Sequence, residues 1–161
     1  MKVDIGIQIK GRQEVAKILN AILSDEYLLY TKTLNYHWNV VGPQFNDLHK
    51  FFGGQYEALS EIVDDVAERV RSLGGKSLGT LTEFLKTARL RETPGKHPNA
   101  LGMISDLLAD HESVIRSLRG DLATCLDAYG DAGTSDFLTG LMEKHEKMAW
   151  MLRSFLETKS T

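Results

Sequence analysis

Apolar residues recur at three- and four-residue spacing along most of the chain, in four long stretches. From about Gln13 to Val40 the stripe is Val15, Ile18, Leu19, Ile22, Leu23, Leu29, Tyr30 and Leu34, and Gly42-Pro43 then interrupts it. A second stripe, from about Phe45 to Leu73, runs through Leu48, Phe52, Leu59, Ile62, Val63, Val66 and Val70. Gly74-Gly75 stands where helices commonly stop. The periodicity lapses over 76–98, where Thr80-Leu81-Thr82-Glu83 has the form of a capping box and predicts a helix of about two turns. Asn99 suits the cap of a third long helix, with Leu101, Ile104, Leu107, Leu108, Ile115, Leu118 and Leu122 on one face. A loop around Gly130–Gly133 follows, and Thr134 or Ser135 starts a fourth helix carrying Phe137, Leu138, Leu141, Met148, Leu152 and Phe155.

Four amphipathic helices joined by short links at either end and a long link in the middle predict an all-α, four-helix bundle. The long connection, with its short extra helix, returns the chain so that helices two and three run parallel, which is the single-crossover, ferritin-like topology. A bundle of this kind implies no function by itself. The 161 residues make one domain over 1–161, with 1–12 as an N-terminal arm, slightly basic through Lys2, Lys10 and Arg12 against Asp4. Hydrophobic residues at 42% and charged residues at 25% are ordinary for a globular protein. A net charge of −3 gives no reason to expect nucleic-acid binding. The one cysteine, Cys125, excludes an intrachain disulfide and fits a reducing compartment. No long apolar run suggests membrane insertion, so the cytoplasm is the expected location.

Chemistry concentrates between Asn35 and Gly75. His37 and His49 flank the Gly42-Pro43 break, and Asp64 and Glu68 lie four apart on the second helix, on one face. Two imidazoles and two carboxylates suit iron or another first-row metal. The fifteen residues from His49 to Asp64 span roughly 22 Å along a helix, so one ion cannot be held by both from the same chain. The break lets His37 join His49, and the economical source of the carboxylates is a second copy across a two-fold axis. Bundle-core di-iron sites built on Glu-x-x-His pairs are disfavoured, because no histidine here has a glutamate three residues before it.

The run His37-Trp38-Asn39-Val40-x-Gly42-x-x-Phe45-x-x-Leu48-His49, followed by Asp64-x-x-Ala67-Glu68-Arg69 and Gly74-Gly75, resembles the Dps family, the starvation-induced DNA-protecting proteins or miniferritins. The likeness covers nearly the whole chain, including the short helix and the region of Trp150. It implies a hollow homo-dodecamer built from two-fold dimers, which oxidises Fe(II) with hydrogen peroxide at the dimer interfaces and stores the ferric mineral inside. Carried over by position, His37 and His49 are ligands from one subunit. Glu68 is a direct carboxylate from its partner, and Asp64 a weak or outer-sphere one. Trp38 stands beside the site, where its indole can intercept an oxidising equivalent. Zinc is a second metal the same ligands would accept.

One position departs from the family. An acidic residue usually follows the second histidine by one turn, and here that position is Gly53, with Gly54 next to it. Glycine offers no ligand and costs about 1 kcal/mol in a helix interior relative to alanine. Glu57, about 6 Å further along the axis, is too far to substitute. Two readings follow: a working ferroxidase with a weakened site, or a Dps-type cage or nucleoid protein whose oxidation chemistry is impaired.

The remaining candidates carry plainer alternatives. Without the wider motif, Asp64 and Glu68 read as a solvated like-charge pair, mildly unfavourable by ~0.2–0.5 kcal/mol. His111 and His145 fall on apolar stripes and read as structural, while His97 lies in a loop beside proline. Trp150 reads as a packing residue. Asp127, Asp131 and Asp136 bracket the start of the last helix, where acidic residues are common; the resemblance offers a three-fold pore there, whose carboxylates would draw cations inward. DNA binding is expected to be weak or absent. No lysine-rich tail is present, Glu157 and Lys159 cancel at the C-terminus, and twelve chains at −3 carry −36 formally.

Overall fold

The computed structural model describes residues 3–157 and contains five helices and, among the described residues, no strand. Lys2 of the arm and Lys159 of the tail lie outside the described residues. Four long helices, α1 (Ile9–Asn39), α2 (Phe45–Ser72), α4 (Ala100–Asp127) and α5 (Ala132–Leu156), form the bundle; α3 (Leu81–Thr87) sits in the long connection. Side-chain pairs give the directions. Lys32 bonds Asp110 and Tyr36 bonds Asp106, so α1 and α4 are antiparallel. Gln55 reaches Met148, and Arg69 reaches Asp131 and Thr134, so α2 and α5 are antiparallel too. With α1 and α2 forming a hairpin, α2 and α4 run parallel, the expected crossover.

The helix signals act as their chemistry predicts, with two shifts. Thr80 and Glu83 make the reciprocal capping box, and Asn99 accepts from the Gly102 amide at 2.9 Å. Gly74, with φ of 81°, takes the left-handed turn that ends α2. However, α1 starts at Ile9, four residues ahead of the expected Gln13. Arg12 is buried there and donates to the carbonyls of Ile7 and Leu73, which pins the first turn to the end of α2. Lys10 and Arg12 are therefore helical rather than part of an arm. Helix α5 starts at Ala132 rather than Thr134 or Ser135, because Asp131 caps it through the Thr134 amide at 2.9 Å.

The core is the set of stripes read from the sequence: Val15, Leu19, Ile22 and Leu29 on α1, Leu48, Phe52, Leu59, Ile62, Val66 and Val70 on α2, with Ile104, Leu107, Leu118, Leu138 and Leu152 opposite. Leu101 and Phe155, assigned to stripes, are exposed at 54% and 36%. So are Trp38, Val41, Phe45, Leu81, Leu85 and Trp150. Among the described residues no helix is long and apolar enough to cross a membrane.

One buried acid ties the crossover to the bundle. Asp25 is 2% exposed and accepts from the Arg89 amide at 2.6 Å, the Leu90 amide at 3.0 Å and the Arg89 Nε at 2.7 Å. Arg89 also donates to Asp121 of α4. Asp25→Ala strands two backbone donors and a guanidinium, and a urea melt is expected to show a loss of about 3 kcal/mol or more, with Asp25→Asn milder. Burial, and after it the nearby Asp131 and Asp121 carboxylates, pushes the Cys125 thiol up to about 12. A thiol reagent at pH 8 should therefore leave the native protein unmodified and react once it is unfolded.

Candidate functional site

His37 lies in the last turn of α1 and His49 in the first turns of α2, and the intervening link turns at Gly42, whose φ of 115° suits glycine. The two imidazoles stack with centroids 3.8 Å apart and planes 21° from parallel. Each Nδ1 points at the other residue's backbone carbonyl: His37 Nδ1 to His49 O at 2.7 Å, and His49 Nδ1 to His37 O at 2.9 Å. A carbonyl only accepts, so both Nδ1 atoms carry the hydrogen. The neutral rings then present two Nε2 lone pairs, the form in which imidazole binds a metal. Phe45 stacks on His49 at 5.2 Å, and the edge of Tyr56 meets His37 at 5.1 Å, so the pair is clamped from both sides.

Gly53 lies against this pair. A Cβ at that position would stand 3.6 Å from both Cε1 and Nδ1 of His37, ordinary contact with no clash. A carboxylate there would run along the His37 ring, and glycine leaves that edge bare.

Asp64 and Glu68 stand exposed further along α2, and Glu57 is exposed between them and the histidines. Helix α2 is continuous over its 28 residues, so the carboxylates stay far from His49 in their own chain. Among the described residues, no three His, Cys, Asp or Glu side chains of one chain are grouped so as to hold a metal ion. The structure thus brings together the histidine half of the predicted ligand set and keeps the carboxylate half apart. Trp38, next to His37, is 68% exposed.

The acidic trio divides. Asp127 and Asp136 are exposed, but Asp131 is 1% exposed. Its carboxylate caps α5, accepts from the Thr134 hydroxyl at 2.6 Å and pairs with Arg69 at 3.2 Å. Asp131 is thus a buried cap, while Asp127 and Asp136 keep their carboxylates at the surface of the chain. His97 lines a surface cleft with Lys32, Tyr36 and Pro94. His111 and His145 are fully buried, as expected of stripe positions, and meet across the bundle with Nδ1 atoms 2.9 Å apart. Glu26, not singled out in the sequence, lies 3.0 Å from His145. Its signal was available: an acid between Leu23 and Leu29 on an apolar stripe.

Comparisons with known proteins agree with this architecture. The ferritin-like domain family matches residues 16–160. A low temperature-induced protein of Nostoc sp. is 51% identical over 97% of this chain and 87% of its own length. The DNA protection during starvation protein 2 of Bacillus anthracis is 35% identical over 89% of this chain and 97% of its own. Among solved structures, a Dps protein from Vibrio cholerae, described as a member of a broad superfamily of ferritin-like diiron-carboxylate proteins, superposes with a TM-score of 0.89 at 27% identity, covering 98% of each chain.

Because the space beside His37 accepts a methyl group, Gly53→Ala should stabilise the folded chain by roughly 0.5–1 kcal/mol in a denaturant melt, with m unchanged.

Proposed function

Because the chain belongs to the Dps family of ferritin-like proteins, we propose that it is an iron-sequestering miniferritin that oxidises Fe(II) with hydrogen peroxide. Iron, rather than zinc, is the metal that the family favours. The observation that carries the reading is the reciprocal His37–His49 lock, which stacks the two rings and leaves both Nε2 lone pairs for a metal. Glu68 and Asp64 of the partner subunit complete the set across a two-fold axis, Glu68 as the direct carboxylate and Asp64 in the weaker role. Exposed Trp38, Val41 and Phe45 near the pair, with Leu81 and Leu85 on α3, supply apolar surface for a second subunit to cover.

The chemistry divides two electrons between two ions. Two Fe(II) give one electron each, the O–O bond of one peroxide breaks, and its oxygens leave as two hydroxides, with no free hydroxyl radical. Carboxylate oxygens favour the ferric product, and Trp38 stands where a stray oxidising equivalent would find the indole first. Twelve chains then enclose the mineral, and Asp127 and Asp136 draw cations to an inlet. The cytoplasm is the working compartment. DNA binding is weak or absent because the shell is anionic, although relatives are named for DNA protection.

A second reading rests on Gly53. The bare edge of His37 removes a family ligand, and the shell would then serve as a cage with impaired oxidation. Anaerobic Fe(II) titration followed by peroxide decides between the two. About two irons per two-fold site, rapidly oxidised by the native chain, with at least a ~10-fold loss in His37→Ala, supports the ferroxidase. Rapid oxidation by Gly53→Glu alone supports the impaired cage. A low-salt mobility-shift assay should show no retarded DNA.

A further inference from the structure

Among the described residues, every buried side-chain nitrogen or oxygen without a hydrogen-bond partner belongs to four residues, one from each long helix: Glu26 of α1, Gln55 of α2, His111 of α4 and His145 of α5. Both carboxylate oxygens of Glu26 are among them. Glu26, His111 and His145 are 0% exposed and Gln55 is 4% exposed. Stranded polar atoms are costly one at a time, so their concentration in one bundle interior points to a ligand.

Geometry names the class of ligand. The Nδ1 atoms of His111 and His145 lie 2.9 Å apart, so one donates and the other accepts. With the hydrogen on His145 Nδ1, its Nε2 lone pair faces Glu26, 3.0 Å from Oε1 and without hydrogen-bond geometry. Two donors at that separation match the edge between neighbouring ligands on a first-row ion, whose bonds of ~2.0–2.2 Å place them ~3 Å apart. An imidazole whose other nitrogen is fixed by a hydrogen bond is the usual arrangement behind a metal-ligating histidine.

We propose that the bundle interior binds one divalent first-row transition-metal ion per chain. The Glu26 carboxylate and His145 Nε2 are its ligands, Gln55 Oε1 is a further donor from α2, and His111 orients His145. The mixed oxygen and nitrogen set favours such ions over magnesium or calcium. The site is separate from the paired histidines, since Glu26 precedes His37 by eleven residues, about 16 Å along α1.

The probe is Co(II), whose visible spectrum reports nitrogen and oxygen ligation. It is titrated anaerobically into the His37→Ala/His49→Ala double variant, which removes the surface pair, and the protein is also refolded from urea with Co(II) present in case the folded bundle excludes it. The expected result is one Co(II) per chain. Adding Glu26→Gln, which keeps size and removes charge, abolishes binding, and adding His111→Leu weakens it roughly 10–100-fold. Thermal melts establish that each variant is folded. Absence of Co(II) by both routes, or binding unaffected by Glu26→Gln, overturns the proposal. Failure of the native chain to oxidise iron would overturn the ferroxidase reading and leave this result untouched, because the double variant already lacks those histidines.

Discussion

Helix α2 is a single rod of 28 residues, and its stiffness governs what the molecule can do. It carries His49 near its start, beside His37 of α1, and Asp64 and Glu68 about two turns and one turn from its end. No bend brings them together, since the hydrogen-bond ladder is continuous and the glycine pair at 53–54 sits within regular helix. One chain therefore holds two histidines without carboxylates and two carboxylates without histidines. Self-association is then a chemical requirement of the candidate site. The apolar side chains left exposed around the histidines are the physical counterpart of that requirement.

Two adjacent acids on α1 show how differently a bundle can treat buried charge. Asp25 turns to the crossover, where two amides and a guanidinium satisfy it, and so fixes the long connection that makes α2 and α4 parallel. Glu26 turns to the bundle interior, where one histidine edge faces it and no hydrogen bond forms. The first is a structural anchor of ordinary kind. The second keeps ionisable groups in a place where apolar residues would pack more favourably, and such a cost is easiest to understand if the group binds something.

The glycine at 53 is the point at which stability and chemistry separate. It weakens α2 locally and takes a side chain away from the flank of His37, yet the ring remains locked by the His49 carbonyl and clamped by Tyr56. Orientation of the imidazoles is thus independent of residue 53. What the glycine changes is the side chain available beside the Cε1 and Nδ1 atoms of His37.

The four stripes, the capping box at Thr80 and the cap at Asn99 were legible along the chain, because helix periodicity and capping are local properties that depend on residues three or four apart. So was the separation of His49 from Asp64, which follows from helical rise alone, and so was the family, from a motif spread over two helices. Other features needed the folded chain. The start of α1 at Ile9 depends on Arg12 reaching the far end of α2, and the burial of Asp131 depends on Arg69 from another helix. The tautomer of the paired histidines rests on carbonyls twelve residues away. The meeting of Glu26, His111 and His145 depends on how three helices turn their faces toward one another. Spacing within a helix sets which residues share a face; only packing between helices decides which faces meet, and buried polar groups are defined by that meeting.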